Sequence, residues 1–295
     1  MTATIKCKTR YYRLFPSTGY LGYGFEDYEA EYGRSAFLVI DVYGLGFHPD
    51  DPIPAFNKDG HAAGERPALA WLDSSKHEER IIKTALLPAL NAAREINLPV
   101  IYLNNSAPKI GLRYSEFGKV LKRQLNTDME RMFAENETDP KEYHYGDSDH
   151  VKISKLLTPR ENEYFIRKHV YSGFVGTRLD ELLRYLDIKN LFIVGFSADA
   201  CLMTTIIDAL WRNYKVILLR DCTLANDFPE EQAELLGTQR MVKMLESLYC
   251  VSITSQEFFE ATRVFAAERN IEGAMPDQSG PSSLFPQNDR ESRPE

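Results

Sequence analysis

The chain has 295 residues, 43% of them hydrophobic and 26% charged, which is the composition of a folded globular protein with a sizeable core. Its formal net charge of −8 argues against nucleic acid or an anionic membrane as a partner. The four cysteines form no CxxC pair, the N-terminal sequence lacks an apolar signal region, and no stretch is apolar for long enough to span a membrane. We therefore expect a cytoplasmic protein.

Short apolar runs along the chain predict buried β-strands. In chain order they are AFLVID (36–41), PVIYLNN (99–105), EYFIRK (163–168), NLFIVG (190–195), KVILLRD (215–221) and LYCVSIT (248–254). Runs that are continuously apolar, rather than alternating, are typical of a parallel sheet covered on both faces. Helical periodicity is found between them, at 76–97, 177–187, about 199–213 and about 230–246. The alternation predicts an α/β fold with a doubly wound, mostly parallel sheet, and Pro88 is expected to kink or break the first helix.

The predicted core domain spans residues 34–268 and has additions. Residues 1–33 are expected to form an N-terminal arm, whose aromatic residues either close over a pocket or dock on a neighbouring subunit; they include Tyr20, Tyr23 and Phe25. The charged stretch 105–162 is an insertion between two strands, of a length often used for function or oligomer contacts. Residues 269–295 are rich in Pro, Ser and Gly and are predicted to be disordered.

Reactive side chains follow several of the predicted strands. Ligands bind at the carboxyl ends of the strands in open parallel sheets, so residues at these positions are candidates for chemistry. Asp41 ends the first run, Lys168 ends EYFIRK, and Cys201 follows NLFIVG after a short loop. Asp221 and Cys222 end another run. The sequence therefore predicts that an acid, an amine and a thiol converge on one edge of the sheet.

Cys201 lies where a predicted helix begins, with Ser197 and Asp199 as candidate caps. The unpaired N–H groups and the dipole at a helix start favour the thiolate, and a nearby lysine is expected to lower the thiol pKa further. The same N–H groups can hold an oxyanion, and an aspartate can move the proton to a leaving amine. The alternative for a cysteine is a small buried hydrophobe, which is the interpretation we favour for Cys222 and Cys250.

The sequence resembles the isochorismatase-like cysteine hydrolase superfamily. The resemblance extends in outline over residues 35–255, and is specific over 163–223, where FIRKHVYSGFVGTRLDELLRYLDIKNLFIVGFSADACLMTT and KVILLRDCT stand in family order. It implies a six-stranded sheet and an Asp-Lys-Cys triad at Asp41, Lys168 and Cys201. It also implies a cis peptide bond between Phe196 and Ser197, with the N–H groups of Ser197 and Cys201 as the oxyanion hole.

The resemblance also bears on metals and cofactors. Nicotinamidases of this superfamily carry a metal site with an Asp-x-His-x-His element, and none of the six histidines of this chain has that spacing. The stretch HPDD at 48–51 is interpreted as a solvated loop rather than a ligand cluster. We therefore predict no metal and no cofactor.

The stretch YSGF at 171–174 resembles the ureidoacrylate and carbamoyl-amide branch of the superfamily. This implies a cysteine-dependent amidohydrolase that cleaves a C–N bond in a small amide or ureido compound through an acyl-enzyme. The predicted substrate-binding residues are Phe47, Tyr171, Ser172, Phe174 and Phe196. For Tyr171 and Phe174, packing in the core is an equal alternative.

Other functions remain open at this stage. The same triad could act on a cyclic imide or a larger amide, or the chain could be a non-catalytic binding or scaffold protein on the same fold. A nucleotide-binding dehydrogenase is discounted because the G-x-G of VYGLGF lacks a third glycine and a following helix. Family members are commonly oligomers, so the resemblance also implies a homo-oligomer.

Overall fold

The computed structural model describes residues 3–15, 21–44, 47–51, 74–125, 133–134, 146 and 148–271. Its central feature is one sheet of eight strands in the order β2-β1-β8-β7-β6-β3-β4-β5. The strands are β1 Thr4–Arg13, β2 Gly22–Glu31, β3 Ser35–Ile40, β4 Val100–Asn105, β5 Tyr164–Lys168, β6 Asn190–Gly195, β7 Lys215–Leu219 and β8 Val251–Ile253.

Strands β3 to β8 form the parallel part of this sheet and coincide with the six apolar runs of the sequence. Strand β3 lies in the interior, with Leu38 opposite Ile101 of β4 and Ile193 of β6. Every residue of β3 and of β6 is buried. This burial on both faces explains why the runs are apolar throughout rather than alternating.

The prediction of a six-stranded sheet was wrong in the number of strands. Residues 4–13 and 22–31, within the segment expected to be an arm, form the antiparallel hairpin of β1 and β2, and β1 pairs antiparallel with β8, with Arg10 opposite Ser252. The burial of Ile5 and Cys7 alternates with the exposure of their neighbours, as expected for a strand with one solvent-facing side.

The hairpin lies at the β8 edge of the sheet. Tyr23 and Phe25 are part of β2, and Tyr20 lies outside the described residues. In this structure, the hairpin extends the sheet rather than covering the carboxyl ends of β3, β5 and β6.

Helices cover the sheet on both faces. They are α1 Ser74–Ile81, α2 Leu87–Glu95, α3 Lys109–Tyr114, α4 Glu116–Leu125, α5 Leu179–Tyr185, α6 Cys201–Trp211, α7 Leu236–Leu248 and α8 Ser255–Ile271. Pro88 lies in the first turn of α2, and a π-helical turn at Ile82–Leu86 joins α1 to α2 without interruption. The expected break at Pro88 is therefore absent, because the π turn changes the hydrogen-bonding pattern just before the proline.

Two large hydrophobic clusters hold these layers together. On one face, Phe37 and Phe192 of the sheet pack with Leu90 of α2 and Phe258 of α8. On the other face, the sheet residues pack with helices α5, α6 and α7; the buried helix residues are Leu179, Leu183, Leu202, Ile206 and Leu245. Both faces of the parallel strands are thus covered, as in the predicted doubly wound arrangement.

The insertion 105–162 has a small core of its own, in which Leu112, Leu121, Phe133 and Val151 are buried together. At the other end of the chain, α8 continues to Ile271, so the segment predicted to be disordered from residue 269 begins with helix. Residues 272–295 lie outside the described part of the chain. None of the described helices has the length and apolar character needed to cross a membrane.

Candidate active site

A carboxylate, an ammonium group and a thiol meet at the carboxyl ends of the parallel strands. Asp41 follows β3, Lys168 ends β5 and Cys201 begins α6. The Nζ of Lys168 lies 2.7 Å from Oδ2 of Asp41 and 3.3 Å from Sγ of Cys201. Lys168 is completely buried, and Asp41 and Cys201 are 4% and 6% exposed. The structure therefore brings together the three residues that the sequence analysis assigned to a triad.

The strand register explains this meeting. Ile40, at the end of β3, lies opposite Leu103 of β4 and Gly195 of β6, and Lys168 of β5 lies opposite Asn105 of β4. The chain turns immediately after β3, because Asp41 adopts a positive φ of 51°. This conformation is uncommon for a residue with a side chain, although Asp tolerates it better than most.

Asn105 was missed in the sequence analysis. Its Oδ1 accepts a hydrogen bond of 2.5 Å from Nζ of Lys168, and its Nδ2 lies 3.8 Å from Sγ of Cys201. It ends β4, so the rule that selected Asp41 and Lys168 applies equally to it. Asn105 therefore links the ammonium group to the sulfur.

Tyr43, also missed, fixes the carboxylate of Asp41. Its hydroxyl donates a hydrogen bond of 2.7 Å to Oδ1 of Asp41 and accepts one of 3.2 Å from the backbone N–H of Asn105. Burial raises the pKa of Tyr43 well above its usual value, and the charge of Asp41 adds to this. The hydroxyl is thus a permanent donor, and the two carboxylate oxygens face a phenol and an ammonium group respectively.

Burial acts oppositely on the charges of Lys168 and Cys201. It lowers the pKa of Lys168, but the charge of Asp41 and the hydrogen bonds of Lys168 to Asp41 and Cys201 raise the pKa overall, so the lysine is an ammonium ion. Burial raises the pKa of the Cys201 thiol to about 12, Asp41 adds to the rise, and Lys168 only partly opposes it. The expectation of a low-pKa thiolate was wrong because the sulfur is buried and faces a carboxylate.

The loop before Cys201 differs from the predicted cap. Ala200 is the N-cap of α6 and has no side-chain cap. The carbonyl of Ser197 instead accepts hydrogen bonds of 3.1 Å from the N–H groups of Ala200 and Leu202. The side chain of Asp199 is bound elsewhere, by Asn226.

The peptide bond between Phe196 and Ser197 is cis, as the resemblance implied. Within the described part of the chain, no acceptor is found for the N–H of Ser197 or of Cys201. These two donors are therefore available to an oxygen atom of a ligand.

The predicted substrate-binding residues have different surroundings. The Ser172 hydroxyl bonds Asp208, and Phe174 stacks on Tyr214 with their ring centroids 6.0 Å apart. Asp208 lies about two turns along α6 from Cys201, about 10 Å away at the usual rise per residue. Ser172 thus contacts α6, and Phe174 lies in the same buried cluster as Cys201. Their role in binding substrate stays a prediction.

Of the other three predicted substrate-binding residues, Phe47 and Phe196 are each 7% exposed and belong to the hydrophobic cluster on the opposite face of the sheet. Tyr171 is half-buried, and its ring lies edge-on to Phe117 of α4 with centroids 4.9 Å apart. Burial raises the pKa of Tyr171, and the charge of Cys201 contributes next. Tyr171 packs against the buried cluster that contains Cys201, and its role in binding substrate stays a prediction.

In the stretch at 48–51, Pro49 and Asp50 are exposed, as expected for a solvated loop, whereas Asp51 is buried. Asp51 is 5% exposed, and its carboxylate accepts hydrogen bonds from the N–H groups of His48, at 2.9 Å, and Lys155, at 2.6 Å. It is buried because it ties this loop to the insertion. Among the described residues, no group of three or more His, Cys, Asp or Glu side chains is arranged to hold a metal ion. The absence of a metal or cofactor stays a prediction, since His61 and His144 lie outside the described residues.

Comparison with known sequences identifies a protein family and related proteins. A family model described as an isochorismatase domain matches residues 70–248, which is more than half of the chain. The uncharacterized isochorismatase family protein YaaI of Bacillus subtilis is 30% identical over 105 residues, covering 36% of this chain and 54% of that protein. The ureidoacrylate amidohydrolase RutB of Rhizobium rhizogenes is 26% identical over 176 residues, covering 58% of this chain and 70% of that protein.

Solved structures show the same fold. A cysteine hydrolase from Pseudomonas syringae superimposes with a TM-score of 0.55 at 23% identity, covering 79% of this chain and 94% of that one. An isochorismatase-like hydrolase from Alkaliphilus metalliredigens superimposes with a TM-score of 0.51 at 20% identity, covering 77% and 98%. At these identities the likeness concerns the fold alone.

Proposed function

The chain belongs to the isochorismatase family, and from this premise we propose that it is a cysteine-dependent amidohydrolase. It cleaves a C–N bond in a small amide or ureido compound, with Asp41, Lys168 and Cys201 as the catalytic residues. One observation carries the proposal: a single buried ammonium nitrogen contacts both a carboxylate, at 2.7 Å, and a thiol, at 3.3 Å. The relative named as an amidohydrolase, RutB, supports the same reaction class.

The first step is acyl transfer to sulfur. The thiol is protonated in the resting protein because its pKa is raised to about 12, so attack requires that Asp41 accept the proton. The ammonium group of Lys168 stabilises the negative charge that develops on sulfur. Sγ then bonds to the substrate carbonyl carbon, and the carbonyl oxygen takes the N–H groups of Ser197 and Cys201. As the tetrahedral adduct collapses, the C–N bond breaks and Asp41 returns its proton to the leaving nitrogen.

The second step is hydrolysis of the thioester. Asp41, again a carboxylate, accepts a proton from water while the water oxygen attacks the acyl carbon. The C–S bond breaks, the sulfur recovers the proton, and the acid product leaves. The net change is the addition of one water across one C–N bond, and no redox partner or metal is needed to balance it.

Chemical considerations also favour a compact substrate. The sulfur and its partners are almost completely buried, which favours a substrate with small groups beside the scissile carbonyl. Linear amides and ureido compounds meet this condition most easily. A cyclic imide or a larger amide on the same triad is the second candidate, and the product distinguishes the two, because opening a ring releases no ammonia.

The test is a panel of N-carbamoyl amino acids, ureido acids, primary amides and cyclic imides, followed by ammonia release and by product mass. We expect turnover of one ureido or amide class by the wild type and none by Cys201→Ala. Cys222→Ala is the matched control, because Cys222 is also buried but contacts Asp221 instead of the triad. Normal turnover by Cys201→Ala contradicts the mechanism, and a wild type inert toward the whole panel favours a non-catalytic role.

A further inference from the structure

The connection after β7 is joined to the loop before Cys201 by a series of hydrogen bonds. The N–H of Gly195 donates to the carbonyl of Cys222 at 3.0 Å, and the N–H of Ala198 donates to the carbonyl of Leu224 at 2.8 Å. Further along, the N–H of Asn226 donates to Oδ2 of Asp199 at 3.2 Å. These bonds continue the pairing of β6 with β7 beyond the ends of the strands.

The side chain of Asn226 completes this junction. Its Nδ2 lies 3.0 Å from Oδ1 of Asp199, 3.2 Å from Oδ2 of Asp199 and 3.3 Å from Oγ of Ser197. One amide group thereby contacts residues on both sides of Ala198, in the segment that carries the two free N–H donors.

Asn226 is itself held firmly. The adjacent Asp227 is 1% exposed, and its Oδ1 accepts a 3.0 Å hydrogen bond from the N–H of Thr238 in α7. The hydroxyl of Thr238 in turn accepts a 2.9 Å hydrogen bond from the N–H of Ala225. The residues on either side of Asn226 are thus fixed to the start of α7, so Asn226 is a rigid support rather than a mobile contact.

We propose that Asn226 is a positioning residue, which holds the loop 196–200 so that the N–H groups of Ser197 and Cys201 stabilise the oxyanion. This inference rests on the proposed function, because it assigns a role in acyl transfer. Asn226 does not touch the triad among its hydrogen bonds and acts through Asp199 and Ser197.

The hydrogen bonds between Asn226 and Asp199 also have an electrostatic consequence. Asp199 lies two residues before Cys201, and its negative charge contributes to the raised pKa of Tyr171. An unpaired carboxylate at this position would repel an oxyanion formed nearby. The two donors of Asn226 draw the carboxylate of Asp199 toward the β7 connection and partly neutralise it.

If Asn226 only stabilised the fold, its loss would have different kinetic effects than if it positioned the oxyanion donors. Attack on an amide carbonyl needs an oxyanion hole, whereas displacement of iodide from iodoacetamide by the same sulfur does not. Both reactions need Cys201, Lys168 and an open path to the sulfur. The ratio of the two rates therefore isolates the contribution of the loop N–H groups.

The experiment compares Asn226→Ala with wild type and with Asn91→Ala, a control on the exposed side of α2. The readouts are kcat and KM for ammonia release from the best substrate of the panel, and the rate of carboxamidomethylation of Cys201 by iodoacetamide. Loss of one direct oxyanion donor costs about 100- to 1,000-fold in kcat. Asn226 acts on these donors indirectly, so we expect its loss to lower kcat about 10- to 100-fold, with KM and the alkylation rate within about threefold of wild type.

Asp199→Ala and the double variant test whether Asn226 acts through Asp199. We expect the effect of Asn226→Ala on kcat to shrink by at least about fivefold in the Asp199→Ala background, because coupled residues are not additive. Asn226→Asp is expected to lose at least as much kcat as Asn226→Ala, since it sets two carboxylates against each other.

The outcomes distinguish a failure of the role of Asn226 from a failure of the amidohydrolase assignment. Unchanged kcat in Asn226→Ala, or a fall in alkylation parallel to the fall in kcat, overturns the role of Asn226 while leaving the amidohydrolase assignment intact. An inert wild type overturns the amidohydrolase assignment and with it this inference. If Asn226→Ala does not fold, Asn226→Asp and Asp199→Ala give the same comparison of turnover with alkylation.

Discussion

The ammonium nitrogen of Lys168 lies 2.7 Å from a carboxylate oxygen of Asp41, and neither side chain is more than 4% exposed to solvent. Two opposite charges at this depth must compensate one another, because neither can be stabilised by water. The pair therefore takes part in the proposed reaction, and loss of either charge is expected to destabilise the fold. This double role leads to the first prediction.

Replacing Lys168 by Met should destabilise the protein strongly. The change leaves the carboxylate of Asp41 buried without its counter-charge, and loss of one partner from a buried pair costs about 3–5 kcal/mol. The measurement is the free energy of unfolding from urea titration. Asp41→Asn combined with Lys168→Met should recover at least half of the loss, since no isolated charge remains. Equal stability of the single and double variants would contradict this account.

Asn105→Ala should lower turnover without unfolding the protein. The amide accepts a hydrogen bond from Lys168 and faces the sulfur at 3.8 Å, so its loss frees the ammonium group to move away from Cys201. We expect kcat to fall about 10- to 100-fold, in the range of a lost orienting group, with KM nearly unchanged. Asn91→Ala, on the exposed side of α2, is the matched asparagine control for the kinetics. A change in KM alone would indicate a contact with substrate instead.

The pH dependence of alkylation tests the protonation state of the sulfur. Because burial raises the pKa of Cys201 to about 12, the thiolate fraction should grow about tenfold per pH unit from neutral pH upward, with no plateau below about pH 11. The measurement is the rate of iodoacetamide labelling of Cys201, followed by peptide mass. A plateau near neutral pH would mean that Lys168, rather than burial, dominates the pKa.

The labelling rates also distinguish Cys201 from Cys222. Cys222 is completely buried, whereas Cys201 is 6% exposed. Burial raises the pKa of Cys222 well above its ordinary value as well, and the charge of Asp221 adds to this. Cys201 should therefore be labelled before Cys222 at every pH. Preferential labelling of Cys222 would show that the path to Cys201 is closed.

The sequence was sufficient to predict the meeting of Asp41, Lys168 and Cys201. Parallel strands end at a common edge, so side chains that follow them share a location whatever their distance along the chain. Asn105 satisfies the same rule and could have been included. The contacts of Asn226 with Asp199 and Ser197 could not have been predicted in this way, because they depend on the path of a loop after β7 that has no periodic pattern.

The protonation of Cys201 was mispredicted for a related reason. A helix start and a nearby lysine are visible in the sequence, and both favour a thiolate. The depth of burial and the distance to Asp41 arise only when the chain is folded, and here they have the larger effect on the pKa. Charge pairs can be proposed from a sequence, but the balance between desolvation and charge cannot.

The N-terminal hairpin was missed although its signal is present. The segment TIKCKTRYYR alternates buried and exposed side chains, which is the pattern of a strand with one solvated face. The predicted strands were continuously apolar runs, and this segment is not one because polar residues alternate with its buried ones. The contact of Arg10 with Glu246 of α7 provides a test of whether this hairpin is part of the stable fold.

Arg10→Ala should destabilise the protein without reducing turnover. Nε and Nη2 of Arg10 lie 2.9 and 2.8 Å from Oε1 of Glu246, whose side chain is completely buried. Because Arg10 is itself partly exposed, we expect a loss of about 2 kcal/mol, below the usual range for a fully buried pair. Lys6→Ala is the control, since its ion pair with Glu268 is exposed on both sides and should contribute less than about 1 kcal/mol.

The measurements for Arg10→Ala are urea unfolding and kcat for the best substrate. Adding Glu246→Gln to Arg10→Ala should restore part of the stability, because the amide carries no charge to be compensated. A hairpin that folds back over the active site as a lid would give the opposite pattern, with kcat or KM altered and stability nearly unchanged. The hairpin in this structure pairs with β8, so we expect a loss of stability alone.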